Sequence, residues 1–220
     1  MTRKQLIILH IALSFISNAR AGDWVLMNES DGIRSYRTDQ PAEFKAITTL
    51  NCRLDVIAII LRDFAAYSRW MPDCLEARLI DQNSDTQLQL YYRHHAPWPF
   101  KNRDAVLRIS TRLDTARKTL FIRTRNIDDE RFPPADSCVR MVRMEADWMI
   151  QYLNGNQTRI EYRLLTDPGG YIPLQQAEQF MSDLPHETLV GLKRMINNPE
   201  YHKKAESSQE KELIEKYFEK

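Results

Sequence analysis

The chain has 220 residues, with 31 Lys and Arg against 30 Asp and Glu and a formal net charge of +1; that length holds one large domain with a core of its own. Charge that is balanced and interspersed excludes nucleic acid as the main partner, which calls for a clustered basic excess. Three cysteines, Cys52, Cys74 and Cys138, exclude a disulfide-stapled framework and sit too far apart for a zinc knuckle.

The first 21 residues read as a signal peptide. Arg3 and Lys4 form a basic start, Leu6 to Ile16 is apolar, and Ala19-Arg20-Ala21 supplies a small-x-small cleavage site, with the cut near Ala21. The apolar run is too short for a spanning helix and contains His10. Export, to a periplasm, follows. Removing the leader takes away Arg3, Lys4 and Arg20 and no acid, leaving 28 basic against 30 acidic side chains. The division expected is a leader over 1–21, a folded domain over 22–197 and a polar tail over 198–220.

Strand patterns cover Gly32 to Arg37 and Glu43 to Cys52, divided by a turn at Asp39-Gln40-Pro41. A helix starts near Asp55, a candidate N-cap, with Val56, Ile59, Ile60 and Phe64 on one face, and ends at Trp70-Met71-Pro72. Further strands are predicted over 74–82, 86–94, 104–114, 118–126, 138–153 and 157–166, and Asn154-Gly155 marks a hairpin. In the third of these Ala105, Leu107, Ile109, Thr111 and Leu113 point one way, while Asp104, Val106, Arg108, Ser110 and Arg112 point the other. Residues 128–137 (DDERFPPADS) form a long loop, of a length that more often serves function than mere connection.

From 173 to about 197 the chain returns to helix, with Leu174, Ala177, Met181, Leu184, Leu192 and Met195 as an apolar stripe and Pro185 as a kink or break. The charged tail beyond Asn197 reads as frayed or disordered. Strands interrupted early by short helices and finished by an amphipathic helix make an α+β arrangement in which the helix lays its stripe on the sheet.

Four stretches carry a family resemblance: Tyr67-Ser68-Arg69-Trp70-Met71-Pro72, Arg103-Asp104-Ala105-Val106-Leu107-Arg108, Cys138-Val139-Arg140-Met141, and Asp167 to Pro173 continued by Leu189-Val190-Gly191-Leu192. In this order, over residues 24 to 197, they resemble a START domain, the steroidogenic-acute-regulatory-related lipid-transfer module, here of a bacterial exported type. The resemblance implies a helix-grip fold: a curved antiparallel sheet gripping a long C-terminal helix over a lipid-sized cavity. Some relatives pair a cavity arginine with an acid on the preceding strand. That strand here, Leu88-Gln89-Leu90-Tyr91-Tyr92-Arg93, has no acid, which puts a sterol-type ion pair in doubt.

Arg108 is the candidate anchor: pointing inward, it would need a lipid hydroxyl, carbonyl or phosphate as partner; pointing outward, it is an exposed strand arginine. Tyr92, Trp148 and Tyr162, with Trp70 and Trp98, either line a pocket or fill core, and the same holds for Phe180 and Met181 on the lid helix. His94-His95 do not make a metal site, because neighbours on a strand face opposite ways, and there is no nucleophile elbow. No cofactor is expected. The leading expectation is a carrier of one lipid or similar hydrophobe, touching membranes transiently, with the C-terminal helix and the 128–137 loop as lid. The alternatives are a cyclase or aromatase-like enzyme of the same superfamily, and an exported interaction module with a filled core.

Overall fold

The computed structural model describes residues 23–38 and 43–219. The expected leader and the turn at 39–41 lie outside the described residues, as does the side chain of Leu174. The chain begins with strands β1 (Val25–Ser30), β2 (Ile33–Arg37) and β3 (Phe44–Leu50), then helix α1 (Leu54–Arg62) and a 3₁₀ helix at Phe64–Arg69. It continues through β4 (Cys74–Ser84), β5 (Gln87–His94), β6 (Asn102–Asp114), β7 (Thr119–Ile127), β8 (Cys138–Arg140), β9 (Arg143–Asn154) and β10 (Gln157–Asp167). Four helices finish it: α2 (Leu174–Ser182), α3 (Leu184–Met195), α4 (Pro199–Glu206) and α5 (Gln209–Phe218).

The strands form one curved, open, ten-stranded sheet in the order β1-β2-β3-β10-β9-β7-β6-β5-β4, antiparallel except for the short β8 beside β6. This is the α+β helix-grip architecture. Neighbours in sequence pair as hairpins, while β3 meets β10 across the chain, Ala46 opposite Tyr162. The segment expected as one strand over 138–153 is two, because the backbone crosses at Met141 and Val142 from β6 to the C-terminal end of β10: Met141 N–H donates to Asp104 O and Val142 N–H to Asp167 O.

Two local expectations change. Asp55 is not the N-cap of α1; Arg53 occupies that place, and the buried Asp55 carboxylate accepts from the Arg53 guanidinium in the first turn. The gripped rod is broken at Asp183, with Pro185 in the first turn of α3, where its missing N–H costs no helical bond.

The polar tail is not frayed. It folds as α4 and α5 and packs on α1, burying Tyr201, Ala205, Ile214 and Phe218. Asn198 and Ser208 cap the two helices by accepting from Glu200 N–H and Lys211 N–H, and Tyr201 Oη donates to Asp63 at 2.9 Å. Four apolar side chains among many charges are enough because α1 presents a ready partner face.

Candidate functional site

Between the concave face of the sheet and the helices lies a cavity of about 590 Å³, within the range of small-molecule sites. It follows the inward face of β6 from Arg103 through Leu107, Ile109 and Thr111 to Leu113. Period-two geometry puts these odd-numbered residues on one face. Cross-strand neighbours complete the wall: Tyr162 stands opposite Trp148, and Trp148 opposite Ile122. The Trp148 and Tyr162 rings lie 4.2 Å apart between centroids.

Tyr92, Trp148, Tyr162, Phe180 and Met181 all line this space. Arg108 does not. It is exposed, sharing the outward face of β6 with Asp104, Val106 and Ser110, and its cross-strand neighbours are Gln89 and Arg125. The arginine of β6 that lines the cavity is Arg103, which the sequence reading missed although it shares the parity of Leu107 and Ile109. Trp70 is buried away from the cavity wall, edge-on to Tyr67, and Trp98 is 92 % exposed.

The side chain of Arg103 is nearly all buried. Nε donates to Pro168 O at 3.2 Å, Nη2 to Gly169 O at 3.0 Å and Nη1 to Lys101 O at 2.5 Å. Gly169 and Gly170 have φ of +64° and +70°, a region where glycine carries no Cβ strain. The Asp167-to-Gly170 turn can therefore fold its carbonyls onto the guanidinium. All three acceptors are neutral carbonyls, and burial is the one influence that lowers its pKa. Among the described residues no carboxylate makes an ion pair with it.

The wall also carries the ionisable Arg62, Asp73, Asp85 and Glu210, and three further polar groups on it are neutral. Burial, the largest influence, pushes the Tyr92 and Tyr162 phenols up and the His94 imidazole down. His94 stands opposite Arg103 in register. All three are hydrogen-bonding groups at neutral pH, not charges.

The 128–137 loop, expected as part of a lid, lies elsewhere. No residue of 128–137 lines the cavity. That loop is tied to Asp104, on the opposite face of β6: Ala135 N–H donates to Asp104 Oδ2 at 3.0 Å, and Arg140, bonded to Phe132 O, donates to both carboxylate oxygens. The segment that meets α2 is the one after β5. Ala96 and Pro97 line the cavity, and Phe100 packs edge-on against Phe180 of α2 with centroids 6.4 Å apart.

The comparisons with known proteins agree with this geometry. The START domain family profile matches residues 16–200. An uncharacterized protein of Pseudomonas aeruginosa is 30 % identical over 180 residues, covering 80 % of this chain and 88 % of that protein. The phosphatidylcholine transfer protein of Mus musculus is 28 % identical over 158 residues, 69 % of this chain and 73 % of its own. The STAR-related lipid transfer protein of Xanthomonas axonopodis superposes with a TM-score of 0.72 at 27 % identity, covering 80 % of this chain and 99 % of that one. Fold, cavity and sequence converge, and the chain belongs to the START domain family.

Proposed function

We propose that the protein is an exported carrier that takes one phospholipid-like molecule into the cavity, its anionic headgroup at Arg103 and its hydrocarbon along Leu107 to Leu113. At the family level, START proteins, lipid transfer proteins among them, bind lipids or other hydrophobic ligands. The finer reading rests on one observation: a buried guanidinium facing an apolar cavity, its hydrogen bonds among the described residues all made to neutral carbonyls. An uncompensated buried charge is costly, and a phosphate at this position supplies both the counter-charge and the acceptors. The apolar wall supplies the rest, about 0.8 kcal/mol per methylene buried. A carrier needs no catalytic group, and the neutral phenols and imidazole on the wall suit orientation of a headgroup.

Replacing Arg103 by Met keeps length and removes charge. Phosphatidylcholine uptake from vesicles should fall roughly ten- to hundredfold, the worth of hydrogen bonds to a charged group. Diacylglycerol, which lacks the phosphate, should be taken up as well as by the wild type. The exposed Arg108→Met is the control and should change neither. Equal losses for both lipids would mean that Arg103 only holds the 167–170 turn, and would sink the assignment.

Entry requires α2 and the 95–101 segment to part, and their rim carries Trp98, 92 % exposed, and Tyr171, fully exposed. Aromatic side chains with an apolar body and polar tip suit a membrane interface. The double variant Trp98→Ala, Tyr171→Ala should bind vesicles at least about tenfold more weakly in cosedimentation, given about 1.5–3 kcal/mol for burying a large apolar side chain. Unchanged cosedimentation would rule this rim out as the contact.

A further inference from the structure

The cavity has a second end, and part of its wall there comes from outside the family match. Arg103 opens β6 and Leu113 nearly closes it, so the two lining residues are separated by roughly 30 Å of strand. Around the Leu113 end the wall is completed by Leu120, Arg62 and Thr86, and by Gln209, Glu210 and Leu213 of α5. The START match ends at residue 200, so α5 lies outside the matched residues.

Helix α5 is firmly seated. Phe218 is 1 % exposed and packs on Tyr152, ring centroids 5.7 Å apart, and Lys118 Nζ donates to Phe218 O. Ile214 is buried one turn earlier. At the N-terminal end of the helix, Arg62 of α1 bonds Glu210 at 3.3 Å across the cavity rim. Positions 210, 213, 214 and 218 follow helical spacing, so burying Ile214 and Phe218 turns Leu213 and Glu210 toward the cavity. Leu213 remains 38 % exposed, as expected of a residue at an opening.

We infer that α5 is the end-stop of the cavity: Leu213, held by Phe218 and the Arg62–Glu210 bridge, sets the length of hydrocarbon chain that fits below Arg103. This rests on the proposed lipid carriage and adds to it a selectivity for chain length. The physical basis is additive. Each further methylene gains burial only while the wall continues, and beyond the stop it meets side chain or water.

The test offers the full protein vesicles of equimolar dilauroyl-, dimyristoyl-, dipalmitoyl- and distearoyl-phosphatidylcholine and reads the bound species by native mass spectrometry. Leu213→Trp should shift uptake toward the shorter chains, the longest falling roughly tenfold relative to the shortest, the worth of about two buried methylenes. Ending the chain at Ser207, which removes α5, should shift it the other way. Because the shortened protein could lose stability, the point substitution at a partly exposed site decides. A wild type that takes up all four, with a length profile unmoved by Leu213→Trp, overturns the end-stop and leaves lipid carriage standing. A wild type that takes up none overturns both.

Discussion

Asp104→Ala should destabilise the protein by about 3–5 kcal/mol, the cost of breaking a buried ion pair by removing one partner. The Asp104 side chain has no exposed surface, while that of Arg140 is 20 % exposed. The carboxylate accepts from Arg140 Nε at 2.9 Å, Tyr91 Oη at 3.0 Å and Ala135 N–H at 3.0 Å. Truncation strands all three donors. It also frees the 128–137 loop from the outer face of β6, so proteolysis near Pro133 should accelerate with the fall in melting temperature. The same group predicts a pH dependence. Burial alone would raise its pKa, but the bonds from Arg140, Ala135 and Tyr91 outweigh burial and leave it below the usual carboxylate range. A carboxyl depressed in the folded state stabilises above its unfolded pKa, and that stability is lost as pH falls through the folded value. Wild type should therefore weaken below about pH 4, and Asp104→Asn, already weaker at pH 7, should lose less over that interval. Thermal unfolding of the three proteins from pH 7 to pH 3 measures both effects; a change under 1 kcal/mol at pH 7 would refute the account.

Much of the sheet was legible because period two is a local signal. Alternation along 104–114 separated the two faces of β6, Asn154-Gly155 marked the β9–β10 hairpin, and Pro185 marked the break between α2 and α3. What alternation could not say is which face looks into the cavity. Residues 103 to 107 are buried without interruption, since the cavity side is covered by helices and the other by β8 and the 128–137 loop. With both faces covered, Arg103 and Arg108 were distinguishable only by parity with Leu107, and parity favours Arg103. The loop was misplaced for the same reason: its anchor, Asp104, belongs to the outward set. The tail failed differently. Tyr201, Ala205, Ile214 and Phe218 are too sparse to hold a helix alone, and their partner on α1 lies well over a hundred positions earlier. Strand β1 was missed because it is an exposed sheet edge, with no buried face to impose a pattern.

Gly191→Ala should lower stability by at least about 2 kcal/mol, although alanine is the better helix former by about 1 kcal/mol. The two effects oppose, and distance decides between them. A Cβ on Gly191 would sit 2.1 Å from Trp70 O and 3.1 Å from Trp70 C. These are backbone atoms, held by Trp70 N–H donating to Tyr67 O at 3.1 Å and by the burial of the indole. No rotamer relieves such an overlap; α3 must move away from the Trp70 segment, and overpacking of this kind costs about 1–3 kcal/mol or more. The displacement reaches the cavity, because Leu184 and Thr188 on α3 line it, as do Met71 and Pro72 after Trp70. Lipid uptake should therefore fall together with the melting temperature. Exposed Val142→Ala, a change of similar size away from the grip, should alter neither. A Gly191→Ala protein as stable as the wild type would mean that α3 is not seated against Trp70, and the close approach that shapes this end of the cavity would be lost with it.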